Sequence, residues 1–399
     1  MPLMSNETGL SRRPDAPPIL WAVCFGLAIG NLGILALMTG EAPPSEVAAA
    51  ASPTDFVGLR TAGRMALEGH AADMYDAVRA KAGEVATFGR DFAGHYPWHY
   101  PPQTFLIVAP LGLGTTLAAE IAWVGTTFAA CLAVLAAILG RFAPLLLLAL
   151  PASLSTTVVG QNGFLTASLL GGALLCFEKR PVLAGILIGL LSYKPQFGIL
   201  VPLALAAGGY WRTFATAAIT TVVFALVSVA ALGSEPWVAF LTSLGGTGAM
   251  LDEGKMGFGK LQSLYGLVRS LGAPVSAALL CQAIFATAAA IWTWRVWRSE
   301  ALPAHRAAVL LCATAIATPY LYLYDLVILA PAIAFLASRG FGLREAWLIA
   351  AALVVLLVYP LIGHSAGMAA PILLAAAIAR RLEPSPTVSG TDAQGASFG

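Results

Sequence analysis

Residues 182–207 read VLAGILIGLLSYKPQFGILVPLALAA, an apolar run interrupted once by a charge, Lys194, and then by Pro195. A stretch of this length and composition suits lipid rather than water, because a spanning helix takes roughly 20 apolar residues. Lysine inside such a run is costly, with insertion scales giving about 2.5 to 3.5 kcal/mol for a charged residue at a helix centre. Proline has no N–H to give to the helical ladder, so a break falls at Lys194-Pro195. If the run is one span, Lys194 lies near mid-membrane; if two short ones, it lies at an outward turn beside a pocket. Both readings require an anionic partner or water. The plainer alternative is a lysine whose ammonium snorkels to the interface.

The whole chain follows the same pattern. Of its 399 residues 58% are hydrophobic and only 11% are charged, whereas soluble chains carry about 25% charged residues. The polar residues are too few to cover a soluble surface of this size. The formal net charge is +2, and no basic stripe with interleaved aromatics marks a nucleic-acid partner. Cys24, Cys131, Cys176, Cys281 and Cys312 all fall in apolar stretches without metal or redox spacing, so they read as small packing residues.

Arg12 and Arg13 precede an apolar run from Ile19 to Met38. That is a signal anchor, since a cleaved signal would carry an apolar region of only about 7 to 15 residues. Further apolar segments fall near 103–139, 143–159, 163–177, 182–193, 196–209, 213–232, 274–294, 306–319, 325–338, 346–361 and 366–379. The expectation is an all-α integral membrane bundle of about twelve spans, several shorter than the roughly 17 residues of a straight crossing. Arg141, Lys179 with Arg180, Arg212, the Arg295 to Arg306 cluster, Arg339 with Arg344, and Arg380 with Arg381 occupy alternate junctions. Basic residues favour cytoplasmic loops, so both termini are expected inside. A long first loop, about 41–101, is then extracytoplasmic. Lys255, Lys260 and Arg269 in the outward segment from Gly233 to Gly272 run against that scheme. One domain is expected over 1–380, with a disordered cytoplasmic tail over 381–399, which is rich in Ser, Pro, Gly and Thr.

With this orientation the unusual polar residues fall at outward ends: Asp55, the His95 to Pro102 stretch, Gln161 with Asn162, Lys194, the Tyr320 to Asp325 stretch and His364. Gln161 and Asn162 sit between Gly160 and Gly163, where a tight turn can present two side-chain amides, although Asn-Gly is also an ordinary turn pair. Tyr100-Pro101-Pro102 reads equally as pocket wall or as interfacial anchor beside Trp98. Asp55 starts a short helix and reads equally as a helix cap or as a reactive carboxylate. Glu68, Asp73, Asp76, Glu84 and Asp91 read mostly as solvated loop charges. A transporter or lipid flippase would also place broken helices and polar groups around a cavity, but it explains the long loop and the one-sided clustering less well.

Taken in order, Asp55-Phe56, Ala62-Gly63-Arg64, Ala66-Leu67-Glu68-Gly69, Tyr75-Asp76, Tyr100-Pro101-Pro102, Gly160-Gln161-Asn162, Lys194-Pro195-Gln196 and Tyr324-Asp325 resemble the bacterial glycosyltransferases of family 87. These are GT-C-type, polyprenol-phosphate-mannose-dependent enzymes, and the likeness runs from about Ile19 to Ala379. The resemblance implies an extracytoplasmic pocket in a bacterial inner membrane. There a hexose, mannose first among them, would pass from a polyprenyl-phosphate donor to a lipid or glycan acceptor with inversion. It implies Asp55 as general base and Lys194, Gln161, Asn162, Tyr100, Gln196, Tyr324 and Asp325 as donor-binding residues, with His95, His99 and His364 as further candidates. No cofactor and no metal is implied beyond the lipid-linked donor, although Asp73 and Asp76 leave the metal open. His70 to Met74 depart from the Asn-Pro-type lead into Tyr75-Asp76, which leaves the acceptor open.

Overall fold

The computed structural model describes residues 16–40, 54–252 and 257–382, and among these the chain is helical with no strand. The N-terminal Arg12 and Arg13, Lys255 and the tail from 383 lie outside the described residues.

Among the described residues five helices are long and apolar enough to cross a membrane: Pro18–Met38, Thr116–Ala149, Trp211–Leu232, Val275–Arg298 and Leu343–Ile362. Gly163–Cys176, Pro181–Tyr193, Pro195–Gly208, Pro303–Ala317 and Leu323–Ala337 are apolar but shorter. Of the roughly twelve spans expected, several of them short, the described residues show five full-length helices and a set of shorter ones joined at breaks. The breaks follow local chemistry. The 103–139 segment splits at a 3₁₀ turn, Ala109–Gly112, carrying Pro110, and the 182–207 run breaks at Lys194-Pro195 as its sequence requires.

Long and short helices differ in what they bury. Ile219, Val222 and Leu226 of Trp211–Leu232, and Leu280 and Ile284 of Val275–Arg298, face outward, as helices bathed in lipid would. Pro303–Ala317 and Leu329–Ala337 are buried on nearly all sides and form the centre. Gly185 and Gly189 let Pro181–Leu190 pack tightly on Trp211–Leu232: a Cβ on either would come within 2.5 Å of Thr216 or Thr220. That small-residue pair serves internal packing. All five cysteines are free and buried or half-buried.

The segment expected as a long first loop is folded. Phe56–Leu67 and Ala77–Phe88 are helices, and Phe56, Leu59, Met65, Met74, Trp98, Phe105, Leu111 and Trp123 share one apolar cluster. Arg60 fixes the first helix from below, donating to the carbonyls of Leu111 at 2.7 Å and Gly114 at 2.8 Å. The Gly233 to Gly272 segment also contains a helix, Glu235–Asp252. Its Phe240 ring lies 5.7 Å from that of Tyr75, so the two segments expected on the outward side pack on each other. Several basic junctions meet elsewhere: Arg306 donates to the Tyr210 hydroxyl at 3.0 Å, and that hydroxyl donates to Glu178, beside Lys179 and Arg180, at 3.4 Å.

Candidate active site

Six of the nominated residues come from the ends of five separate elements and join in one hydrogen-bonded chain. Asp55 Oδ2 accepts from Gln161 Nε2 at 3.1 Å. Gln161 Oε1 accepts from the Tyr100 hydroxyl at 3.4 Å, and that hydroxyl accepts from Asn162 Nδ2 at 2.7 Å. Asn162 Oδ1 accepts from Lys194 Nζ at 2.8 Å, and Lys194 ends in an ion pair with Asp325 Oδ1 at 2.5 Å. The other Asp325 oxygen accepts the Tyr322 N–H at 3.0 Å.

The turn at 160–163 makes this possible, and its two glycines do different things. Gly160 has φ +67°, a left-handed turn conformation, and a Cβ there would sit 2.6 Å from Cβ of Phe56, the neighbour of Asp55. Gly163 brings the other side in, since a Cβ there would lie 2.1 Å from the Tyr324 carbonyl oxygen, next to Asp325. Thr156 holds that carbonyl by donating to it at 3.1 Å. The bracketing glycines therefore let two distant segments press against Gln161 and Asn162 from opposite sides.

Lys194 is 3% exposed. The anionic partner its position demands is Asp325, and the rings of Tyr100, Phe197 and Tyr324 lie 5.3 to 5.9 Å from its ammonium. Tyr324 thus contributes ring and backbone, its ring stacked on Tyr322 at 5.4 Å. Gln196 is not joined to the chain. It lines a separate, mainly apolar cavity of about 500 Å³ with Ile188, Leu191, Pro195, Ile199 and Phe214.

Asp55 occupies the N-cap position of its helix, but its side chain makes no capping bond. The carboxylate is turned to Gln161 instead. Burial pushes its pKa above the ordinary carboxylate range, against the opposing pull of the Gln161 hydrogen bond and of Lys260. Asp76, by contrast, is a true cap, accepting from the N–H groups of Val78 and Arg79, and Asp73 pairs with Arg79 at 2.7 Å. Among the described residues no three His, Cys, Asp or Glu side chains converge as a metal site would require.

The histidines separate. His95 Nδ1 lies 3.1 Å from Glu84, which also accepts the Tyr96 N–H at 3.0 Å. Glu84 is fully buried rather than a solvated loop charge, and it pins the 95–96 segment to Ala77–Phe88. Burial and nearby His95 push the His99 pKa down to about 4, so His99 is neutral at pH 7. His364 is exposed, with φ 46°, beside Gly259.

Two groups escaped the reading of the sequence. Glu120 Oε1 lies 3.2 Å from where a Gly160 Cβ would stand; a carboxylate in an otherwise apolar span was its available signal. Lys260 lies within electrostatic reach of Asp55, and its misfit to the basic-residue alternation was its only trace.

This is a helical membrane protein in which a half-buried carboxylate is wired to a buried ion pair. The sequence profile of glycosyltransferase family 87 matches residues 98–320, more than half of the chain. The chain belongs to that family and is a glycosyltransferase. The matched region holds Tyr100, Gln161, Asn162 and Lys194, with Asp55 and Asp325 outside its two ends. No curated protein and no solved structure matches the chain.

Proposed function

We propose that the protein transfers a hexose, mannose in the first instance, from a polyprenyl-phosphate carrier to a lipid or glycan acceptor, with inversion and with Asp55 as general base. The observation that carries this is the Asp55 carboxylate. It lies in the site with one oxygen held by Gln161 and no hydrogen bond to the other among the described residues. In the reaction an acceptor hydroxyl oxygen bonds to the anomeric carbon as the bond from that carbon to the donor phosphate oxygen breaks. The hydroxyl proton goes to Asp55 and the electron pair leaves on the lipid phosphate. A carboxylate with a raised pKa is the stronger base for this step.

Asn162 and Gln161, buried and held by Tyr100 and Lys194, carry amides whose remaining N–H groups suit sugar hydroxyls. The Lys194–Asp325 pair holds Asn162, and Tyr324 forms the wall behind it. Gln196, facing the apolar cavity, would meet the lipid portion of the donor rather than the sugar. Family membership favours group transfer over transport. A GT-C-type architecture, the extracytoplasmic face of a bacterial inner membrane and cytoplasmic termini complete the reading. They are supported by the alternation of basic junctions and by the packing of the first segment on Glu235–Asp252. The reading uses no metal, and loss of transfer on adding EDTA would overturn that part.

The test is transfer of radiolabelled mannose from polyprenyl-phosphate mannose into membrane lipid or glycan by purified protein, wild type beside Asp55→Asn. The expected result is transfer by the wild type alone, with both proteins folded. Comparable turnover in the variant would remove Asp55 as the base, and no transfer from any lipid-phosphate sugar would remove the donor class.

A further inference from the structure

The charges around Asp55 do not suit an anionic donor unless one more group is counted. Among the described residues the charged side chains whose field reaches the Asp55 carboxylate are Lys260, Asp325 and Lys194. Asp55, Asp325 and Lys194 together are net negative. Lys194 cannot correct the balance, being buried and already committed to Asp325 and Asn162. His99 is neutral at pH 7. A lipid phosphodiester brings a negative charge into this field, and its phosphate gains more as the sugar leaves, so a further cation is needed where that charge collects.

Lys260 is placed for this. It ends a 3₁₀ turn, Phe258–Lys260, that is tied down from two directions. Ser365 donates through Oγ to the Phe258 carbonyl and through its N–H to the Gly259 carbonyl, both at 3.2 Å, and the Tyr359 hydroxyl donates to Gly259 at 3.3 Å. On the other side Gln262 N–H donates to the Leu321 carbonyl and Ser263 Oγ donates to that of Pro319 at 2.6 Å. The turn is thereby fastened to the stretch that runs straight into Tyr322 and Asp325. The Lys260 stem lies back across Gly257, and its side chain is exposed. Among the described residues its ammonium has no ion-pair or hydrogen-bond partner.

We propose that Lys260 receives the phosphate of the lipid-linked donor at the mouth of the site, with Lys194 standing behind it as the fixed counter-charge to Asp325. The inference rests on the glycosyl-transfer reading above and names the residue that binds the donor's charged group. It also accounts for a basic residue on a segment where orientation alone argues against one.

The experiment is equilibrium binding of undecaprenyl phosphate to the full chain in phosphatidylcholine nanodiscs, read by tryptophan fluorescence, for wild type, Lys260→Gln, Lys260→Arg and Asp55→Asn. Thermal unfolding of each confirms that it is folded. Lys260→Gln is expected to weaken binding about tenfold or more, the scale of one lost hydrogen bond to a charged group, while Lys260→Arg stays near wild type. Added salt should weaken wild type more than Lys260→Gln. Asp55→Asn should bind at least as well as wild type while failing to transfer. Undecaprenyl phosphate binding unaffected by Lys260→Gln overturns the assignment of Lys260 and leaves the transfer reading standing. Equal competition by inorganic phosphate or by phosphatidylglycerol also overturns it, since the contact would then be a general one for anions or headgroups. No binding by any of the proteins, with no transfer, overturns the glycosyl-transfer reading itself and this inference with it.

Discussion

Two aspartates stand at opposite ends of one hydrogen-bonded chain, and their surroundings differ in every respect that matters. Asp325 is 1% exposed, paired with Lys194 on one oxygen and with the Tyr322 N–H on the other. Asp55 is half-buried, has a single side-chain hydrogen bond from Gln161, and carries a raised pKa. A buried carboxylate with both oxygens engaged and a lysine paired to it is held in place, whereas one that is desolvated and under-engaged is a base waiting for a proton. The same residue type is a strut at one end and a reagent at the other.

The largest effects are expected when each aspartate is neutralised in turn. Asp55→Asn should lower transfer by about 10² to 10⁴, the range for a lost general base, with the unfolding midpoint in detergent almost unchanged. Removing one partner of the buried pair should act the opposite way round. Lys194→Met or Asp325→Leu alone should cost about 3 to 5 kcal/mol of stability, because the remaining charge is stranded. The double variant should recover most of that stability in denaturant titrations without recovering transfer. If the double variant is as unstable as either single one, the pair is not the strut described here.

A subtler test concerns pH. Only the ionised form of Asp55 can take a proton, so kcat/KM should rise with pH along a limb set above the usual carboxylate range. Gln161→Leu removes the hydrogen bond that favours the ionised form and should move that limb higher still. Lys260 and Lys194, which favour the charge, and Asp325, which opposes it, remain in place in that variant, as do Glu120, Tyr96, Tyr100 and Tyr322. A limb that stays where it was would mean the titration belongs to another group. The smallest effect is expected of Glu120→Gln: transfer within about threefold of wild type, since small changes follow when no specific bond is lost. A large loss there would make Glu120 a second reagent and dissolve the contrast between the two aspartates.

Much of this was legible because it violates a cost. Lys194 announced itself as a charge in an apolar run, and its required partner followed from electrostatics before its identity was known. The glycines at 160 and 163 marked a turn, although their further use, admitting Phe56 and Tyr324 to contact, is a matter of three dimensions. Gln196 shows the limit of short motifs: it follows Lys194-Pro195 directly, yet the break at Pro195 sends it to a different cavity. The helix after Asp55 was legible as a short helix, but not its burial with the rest of 54–101 in one apolar cluster, because partners such as Trp123 lie far along the chain. Lys260 was visible only as an exception to the alternation of basic junctions, since nothing in its own neighbourhood says that Asp55 is near.

The Lys194–Asp325 pair also bears on how the protein is made. Its two members are 131 residues apart in the chain. At about 5 to 20 residues per second of synthesis, the lysine enters the bilayer roughly ten seconds before its counter-ion exists. Of its two hydrogen-bond partners among the described residues, Asn162 is the one already made in that interval. Assembly of the membrane domain therefore passes through a stage in which a lone amide shelters a charge, and an Asn162→Ala chain would meet its difficulty during insertion, before any substrate is present.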